Sequence, residues 1–113
     1  MTSQMRAAIY ARFSTDLQSD ASIDDQIRSC RDYAARQGLT VVETYADRAV
    51  SGASLMRSGI QKLMRDGRNS EFDVVISEGL DRLSRNQSDI AQIYQMLAFA
   101  EVMIETVAEG AIS

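Results

Sequence analysis

Hydrophobic and polar positions alternate along the chain in blocks that predict strands and helices in turn. Short apolar runs predict four buried strands, at residues 5–13, 39–46, 72–77 and 102–108. Apolar residues at helical spacing predict three helices between them, at residues 22–37, 59–69 and 88–100. Polar segments separate these elements, at residues 14–21, 47–58 and 80–86, and the last of them reads as a turn or the start of a helix.

The first predicted helix has recognisable ends. Ser22 and Asp25 have the spacing of a capping box, in which two side chains satisfy the first free N–H groups of a helix. Gly38 is a typical stop signal because glycine tolerates the left-handed conformation that often ends helices. The spacing therefore predicts a helix that begins at Ser22 and ends before Gly38.

Strands that alternate with helices predict an α/β fold in three layers, with a mainly parallel sheet flanked by helices. In such folds, functional groups gather beyond the carboxyl ends of the strands. Here that rule selects residues 12–18, 47–58 and 79–86, and each of these segments carries arginine. We expect a site where they meet.

The composition narrows the classes of function. A chain of 113 residues predicts one domain, over residues 1–113. With no histidine and one cysteine, the chain can form neither a histidine-dependent catalytic triad nor a Cys/His zinc site, and no internal disulfide. No apolar run approaches the ~20 residues that span a bilayer, and the N-terminus lacks the apolar core of a signal peptide. We expect a soluble, cytoplasmic protein without a membrane partner.

The charge argues against strong binding of nucleic acid by this chain alone. Acidic residues outnumber basic ones by 16 to 12, which gives a net charge of −4. The distribution is uneven, because residues 48–85 carry seven basic and five acidic side chains. All basic residues except Lys62 are arginine, which suits bidentate contact with phosphate. If the chain acts on DNA, we expect most of the affinity to come from outside it.

The first candidate for chemistry is the end of the first strand. Tyr10, Arg12 and Ser14 are two residues apart, so an extended strand places all three on one face. The intervening apolar residues take the other face: Ile9, Ala11 and Phe13. A hydroxyl nucleophile would then lie beside a cation. A strand end whose polar side chains are simply exposed to solvent explains the same pattern.

Two further charged clusters follow the second and third strands. Arg82 and Arg85 are three residues apart, so one helical turn presents both on one face, and Asp81 suits the first turn of a helix. The segment after the second strand carries three more charged residues: Asp47, Arg48 and Arg57. Taken singly, an exposed helix start and a charged loop explain them. Together with Ser14, they supply what metal-free phosphoryl transfer needs, because arginines stabilise the charge that develops on phosphate oxygens.

Taken in order, these motifs resemble the serine recombinases, the resolvase/invertase family of site-specific DNA recombinases. The resemblance runs from about residue 6 to residue 110. Its motifs are Tyr10-Ala-Arg12-Phe-Ser14 with Gln18, Ser22-Ile-Asp-Asp-Gln26, Asp47-Arg-Ala-Val-Ser-Gly52, Arg57-Ser-Gly59 and Leu80-Asp81-Arg82-Leu-Ser-Arg85. Each motif is weak by itself, and the ordered set is specific.

The resemblance implies that Ser14 attacks a DNA phosphodiester and forms a 5′-phosphoserine link with release of a 3′-hydroxyl. Arg12, Arg82 and Arg85 would surround the scissile phosphate, and Arg57 would join them as a further active-site arginine. The bond energy stays in the covalent link, so the resemblance implies no metal, no ATP and no other cofactor.

Other motif positions match residues of this family that support the site. Asp81 would orient the arginine cluster, and Tyr10, Gln18, Gln26 and Asp47 would have supporting roles. Either Asp81 or a phosphate oxygen could receive the proton of the nucleophile.

The resemblance also implies partners and surroundings. A homodimer would bind each recombination site, and four subunits would join two DNA sites in a synaptic homotetramer. The gene would be bacterial or phage-encoded, and the protein would work in the cytoplasm at the nucleoid. We expect residues 1–113 to be the N-terminal catalytic domain, as a fragment whose dimerisation helix and DNA-binding domain lie beyond the chain. The sequence as a whole resembles the large serine recombinases more than the small resolvases.

The chain departs from the family pattern at Asp66, near which the family commonly has a basic residue. Arg48 lies where the family varies, and we assign it no catalytic role.

Three alternatives compete with this interpretation. A receiver-like module needs acidic residues after the first strand, where this chain has Arg12 and Ser14, and no glycine-rich phosphate loop supports a nucleotide-binding module. A non-catalytic interaction domain could share the fold. Phosphatase or phosphotransferase activity on small phosphoesters is the third alternative.

Overall fold

The computed structural model describes residues 5–12, 20–48, 58–84 and 86–112. These residues form five strands, β1 (Arg6–Arg12), β2 (Thr40–Asp47), β3 (Val74–Ser77), β4 (Met103–Thr106) and β5 (Gly110–Ile112). Four helices connect them, α1 (Asp20–Gln37), α2 (Ser58–Arg68), α3 (Leu80–Leu83) and α4 (Gln87–Phe99).

The strands form one sheet in the order β2-β1-β3-β4-β5. The first four strands are parallel to their neighbours, and β5 is antiparallel to β4. This confirms the predicted α/β fold with a mainly parallel sheet. The sequence analysis missed β5, because three residues are too few to show a periodic pattern.

Helices cover both faces of the sheet, which gives the predicted three layers. On one face, Ala7 and Ile9 of β1 pack in a cluster with Cys30 of α1. On the other face, Ala8 and Tyr10 pack in a cluster that contains buried residues of α2, α3 and α4. Alternate residues of β1 therefore face opposite layers, as the period of two predicts.

The ends of α1 agree only in part with the predicted ones. Gly38 ends the helix with φ of +72°, so the predicted stop is confirmed. The capping box was wrong, because α1 begins at Asp20 and Ser22 lies inside it. The Ser22 hydroxyl instead accepts a hydrogen bond of 3.3 Å from Nε2 of Gln26, one turn further along the helix.

The order of the strands reverses between β1 and β3. From β1 the chain passes through α1 to β2 on one side, and it then returns through α2 to β3 on the other side of β1. A reversal of this kind leaves a crevice outside the carboxyl ends of the two strands. Arg12 is the last residue of β1, and Gly79 follows β3 closely, so both lie at this crevice.

Asp66, where the chain departs from the family pattern, has a structural partner in this protein. The hydroxyl of Tyr45 in β2 donates a hydrogen bond of 2.6 Å to the carboxylate of Asp66 in α2. This bond lowers the pKa of Asp66, and burial raises the pKa of Tyr45. The Tyr45 ring also packs edge-on against Phe72, with ring centroids 6.1 Å apart. Asp66 thus ties α2 to the edge strand β2.

Helix α4 leaves apolar side chains at the surface. Phe99 is 94% exposed, and Tyr94, Met96 and the neighbouring Met103 of β4 are each more than a third exposed. No helix in the described part of the chain is long and apolar enough to cross a membrane.

Shortening a side chain in the central strand β3 should reduce the stability of the protein far more than the same change in the edge strand β2. Val75 of β3 is fully buried and Val42 of β2 is 45% exposed. We expect Val75→Ala to lower the free energy of unfolding by about 2–3 kcal/mol, because it removes buried methyl groups and leaves a cavity. Val42→Ala, the matched control, should change it by less than about 0.5 kcal/mol. Equal effects in urea unfolding would contradict the described strand order.

The Tyr45–Asp66 bond should make part of the stability depend on pH. Because the pKa of Asp66 is lower in the folded than in the unfolded protein, its contribution is present above about pH 4 and is lost as the pH falls through the folded pKa. Tyr45→Phe should therefore cost about 1 kcal/mol more at pH 7 than at pH 2. Urea unfolding at both pH values measures this difference. Tyr94→Phe, at an exposed tyrosine, should show no such difference.

Candidate active site

Arg12 is a buried cation at the end of β1, with only 2% of its surface exposed. Its Nε donates a hydrogen bond of 3.1 Å to the backbone carbonyl of Arg82, and its Nη2 donates to the carbonyl of Asp81. Both carbonyls belong to the last turn of α3, where the helix itself offers them no N–H partner. The Arg12 guanidinium therefore acts as a C-terminal cap of α3 and ties this helix to β1.

Arg82 makes the reciprocal contact from α3. Its Nη1 donates a hydrogen bond of 3.4 Å to the carbonyl of Arg12. Its Nη2 lies 3.8 Å from the Glu78 carboxylate, and the side chain is 23% exposed. The structure thus brings Arg12 and Arg82 together, as the sequence predicts, with one acidic partner beside them. The Arg82 guanidinium remains partly open to solvent, whereas the Arg12 guanidinium is buried.

Asp81 is an exposed residue of α3, and its carboxylate lies close to the backbone of Gly79. A Cβ atom on Gly79 would lie 2.8 Å from the Asp81 carboxylate, so a larger residue would displace that side chain. Gly79 therefore leaves room for Asp81 at the N-terminal end of α3.

Gln26 of α1 reaches the same strand end from the opposite layer. Its Oε1 accepts a hydrogen bond of 3.1 Å from the Arg12 backbone N–H, and its Nε2 donates one of 3.0 Å to the Arg12 carbonyl. Gln26 is 1% exposed, so this contact is shielded from water. The structure therefore places Gln26 directly against the backbone of Arg12.

Asp47 joins the second strand to the start of α2. Its carboxylate accepts hydrogen bonds from the Gly59 N–H at 2.8 Å, the Ile60 N–H at 3.0 Å and the Tyr10 hydroxyl at 2.6 Å. Asp47 therefore caps α2 and anchors it to β1 through Tyr10. A Cβ atom on Gly59 would lie 2.7 Å from the carbonyl of Ala46, so only glycine allows this close approach.

Four predicted site residues lie outside the described residues: Ser14, Gln18, Arg57 and Arg85. Each of them lies within two positions of a described residue in the sequence. Ser14 is two residues beyond Arg12, and Arg57 directly precedes the first residue of the helix that Asp47 caps. Arg85 follows Ser84, whose backbone N–H bonds to α3.

The sequence analysis missed two contacts of this site. Glu78 pairs with Arg82 one helical turn away, a spacing that sequence alone could have suggested. Gly59 lies in a helix and carries no sign of its contact with Asp47, because the two residues meet only through the packing of α2 on β2.

Cys30 contributes no reactive thiol. It is fully buried in α1, and burial raises the pKa of its thiol to about 12. The thiol therefore stays protonated at neutral pH and acts as a small apolar side chain.

The described groups supply positive charge and hydrogen-bond donors at the crevice between β1 and β3. Arg12 and Arg82 are held in place by backbone contacts, so they need little reorganisation when a negative charge develops nearby. Such an arrangement suits the stabilisation of a phosphate whose oxygens gain charge during the transfer of a phosphoryl group.

Comparisons with known proteins agree over nearly the whole chain. A family model described as "Resolvase, N terminal domain" matches residues 7–113. The transposon Tn3 resolvase of Escherichia coli is 33% identical over 106 residues, which are 94% of this chain and 52% of that protein. A putative DNA recombinase of Bacillus subtilis (strain 168) is 39% identical over 80 residues, 69% of this chain and 15% of that protein.

A solved structure has the same fold. The crystal structure of the N-terminal catalytic domain of TP901-1 integrase superposes with a TM-score of 0.86 at 35% identity, over 93% of this chain and 79% of that one. The chain spans about half the length of the Tn3 resolvase and a smaller share of the Bacillus protein.

Removal of the Asp47 carboxylate should destabilise the protein, because it removes three hydrogen bonds, one from the Tyr10 hydroxyl and two from N–H groups at the start of α2. We expect Asp47→Ala to lower the free energy of unfolding by about 2–4 kcal/mol. Asp32→Ala, at an exposed position on α1, is the control and should change it by less than about 0.5 kcal/mol. Chemical denaturation measures both, and a loss below about 1 kcal/mol for Asp47→Ala would show that Asp47 is not the anchor of α2.

Proposed function

The chain belongs to the resolvase N-terminal domain family of serine recombinases, as its sequence motifs predict, and we propose that it performs the cutting and rejoining of DNA in site-specific recombination. One observation carries the proposal. Arg12 and Arg82 meet in the crevice between β1 and β3, and Arg12 lies two residues before Ser14 in the sequence.

In the proposed reaction, the Ser14 oxygen attacks the phosphorus of a DNA phosphodiester. A bond forms between Ser14 and the 5′-phosphate, and the bond to the 3′ oxygen breaks. Ser14 gives up its proton, and the departing oxygen gains one and becomes a 3′-hydroxyl. Rejoining reverses these steps with the 3′-hydroxyl of an exchanged strand, so the number of phosphodiester bonds is conserved and the reaction needs no energy source.

The arginines would stabilise the negative charge on the phosphate oxygens. Arg82 is partly exposed and can approach the phosphate, and Arg57 and Arg85 are proposed to join it. Arg12 contributes a fixed positive charge, while its described hydrogen bonds hold α3. One arginine placed at a transferring phosphoryl group can contribute roughly 10³–10⁵ in rate.

The supporting residues would set the positions of these arginines. Asp47 fixes the start of α2, the helix that directly follows Arg57 in the sequence. Tyr10 holds Asp47 in place from β1. Asp81 lies in the same short helix as Arg82 and is proposed to orient the arginine cluster, and Gln18 is proposed to support the site.

We propose that the chain is the catalytic domain of a longer protein, of the large serine recombinase type. Relatives that extend well beyond the matched region support this, above all the Bacillus protein, of which the match covers 15%. A dimerisation helix and a DNA-binding domain would follow the domain. DNA recombination sites would be its substrate, and the net charge of −4 fits a domain that relies on another for most of its affinity for DNA.

We also propose that the working form is a homodimer at each site and a synaptic homotetramer during strand exchange. The exposed apolar side chains of α4, Tyr94, Met96 and Phe99, support contacts between subunits, because groups of exposed apolar side chains are typical of interaction surfaces. The cytoplasm of a bacterial cell, at the nucleoid, is the proposed place of action.

The direct test is strand cleavage by the full-length protein on DNA that spans the junctions of its element. We expect Ser14→Ala to abolish cleavage, because the proposed covalent bond forms at the Ser14 oxygen, and Arg82→Ala to slow it by more than ~10³-fold. A denaturing gel of end-labelled DNA measures the rate. Ser29→Ala, on α1, is the matched control and should cleave at the wild-type rate.

Cleavage by Ser14→Ala at the wild-type rate would overturn the nucleophile. A wild-type protein that binds these junctions without cutting them would favour a non-catalytic domain with the same fold.

A further inference from the structure

Gln26 makes an unusual contact for a helix side chain, because its amide pairs with the whole peptide unit of one strand residue. It accepts from the Arg12 N–H and donates to the Arg12 carbonyl, at 3.1 and 3.0 Å. A primary amide carries one acceptor and a donor at the same end, so it can reproduce the two hydrogen bonds that a neighbouring strand would form.

In the described residues, β1 pairs with β2 as far as Arg12, which lies opposite Asp47, but its pairing with β3 ends before Arg12. The pairing of β1 with β3 runs from Ala7 to Ile9 in the described residues, and β1 continues for three residues beyond it. Arg12 is nevertheless buried, and a buried peptide group without a hydrogen-bond partner is costly. Gln26 therefore satisfies the backbone of β1 where β3 no longer does.

The contact continues into the opposite layer through the side chain of Arg12. While Gln26 fixes the Arg12 backbone, the Arg12 guanidinium holds the carbonyls of Asp81 and Arg82. A rotation of the Arg12 peptide would therefore disturb α3 as well. Arg12 also precedes Ser14 by two positions in the sequence.

We propose that Gln26 is a positioning residue for strand cleavage, which acts through Arg12 and touches no reacting atom. This inference rests on the proposed function. Gln26 sets the orientation of the Arg12 peptide, and through it the relative position of Ser14 and the arginines of α3. Displacement of reacting groups by about 1 Å can cost about 10²-fold in rate.

The test replaces the amide by groups of similar size. Gln26→Met keeps the length and removes both hydrogen-bonding groups, and Gln26→Asn keeps the amide but shortens its reach by one methylene. We expect each to lower the single-turnover cleavage rate of the full-length protein by about 10²-fold or more. The dissociation constant for DNA should change by less than about twofold, since Gln26 is buried. Gln37→Met, at an exposed glutamine of the same helix, should match the wild type.

A second measurement reports on the contact without DNA. Hydrogen exchange of the Arg12 backbone amide, followed by NMR, should be at least about tenfold faster in Gln26→Met than in the wild type. The amide of Ala8, in the middle of β1, should exchange as before. A merely structural role would instead speed exchange along the whole strand.

Unchanged cleavage in both Gln26 variants, or unchanged exchange at Arg12, would overturn the inference. If Gln26→Met does not fold, Gln26→Asn decides with the same two measurements. In a wild-type protein that cuts no DNA, the proposed function itself fails. Hydrogen exchange of the Arg12 amide, which needs no DNA, would then still show whether Gln26 fixes the Arg12 peptide.

Discussion

The structure of the candidate site depends on the burial of one charge, the guanidinium of Arg12. A buried cation is stable only where hydrogen bonds replace its water, and in this protein backbone carbonyls of α3 do so. These carbonyls are themselves without helical partners. The cation and the helix end therefore stabilise each other, and neither position is free to move without the other. These hydrogen bonds hold α3, which carries Asp81 and Arg82, against the end of β1.

The order of the strands puts this contact where a ligand can reach it. Because the order of the strands reverses between β1 and β3, the carboxyl ends of these two parallel strands border an open crevice. Asp47 fixes a second wall of the site by capping α2 and binding Tyr10. Buried side chains that bond to backbone groups, Arg12 in one wall and Asp47 in the other, hold both walls in place. Such rigidity is what electrostatic stabilisation of a transferring phosphate requires.

The periodic parts of the fold could be predicted from the sequence, and the long-range contacts of the site could not. Alternation along β1 correctly separated Tyr10 from Ile9, because a strand has a strict period of two. The predicted helix start at Ser22 was wrong, because the spacing of a capping box can also occur inside a helix. In this protein the Ser22 hydroxyl accepts a hydrogen bond from Gln26 of the same helix. Asp47 caps a helix that begins eleven residues later, so no local pattern marks it. The bond between Gln26 and Arg12 joins two elements whose contact is decided only by how α1 crosses the sheet.

The central claim is that the chemistry occurs at the hydroxyl that follows Arg12 by two residues. The most direct measurement quenches the reaction of the full-length protein with DNA by denaturant and locates the nucleotide-bearing peptide by mass spectrometry. A 5′-phosphorylated DNA end on the peptide that contains Ser14, and attached to Ser14 itself, is the expected result. Attachment at Tyr10 or at another hydroxyl would contradict the proposed mechanism, even if recombination occurred.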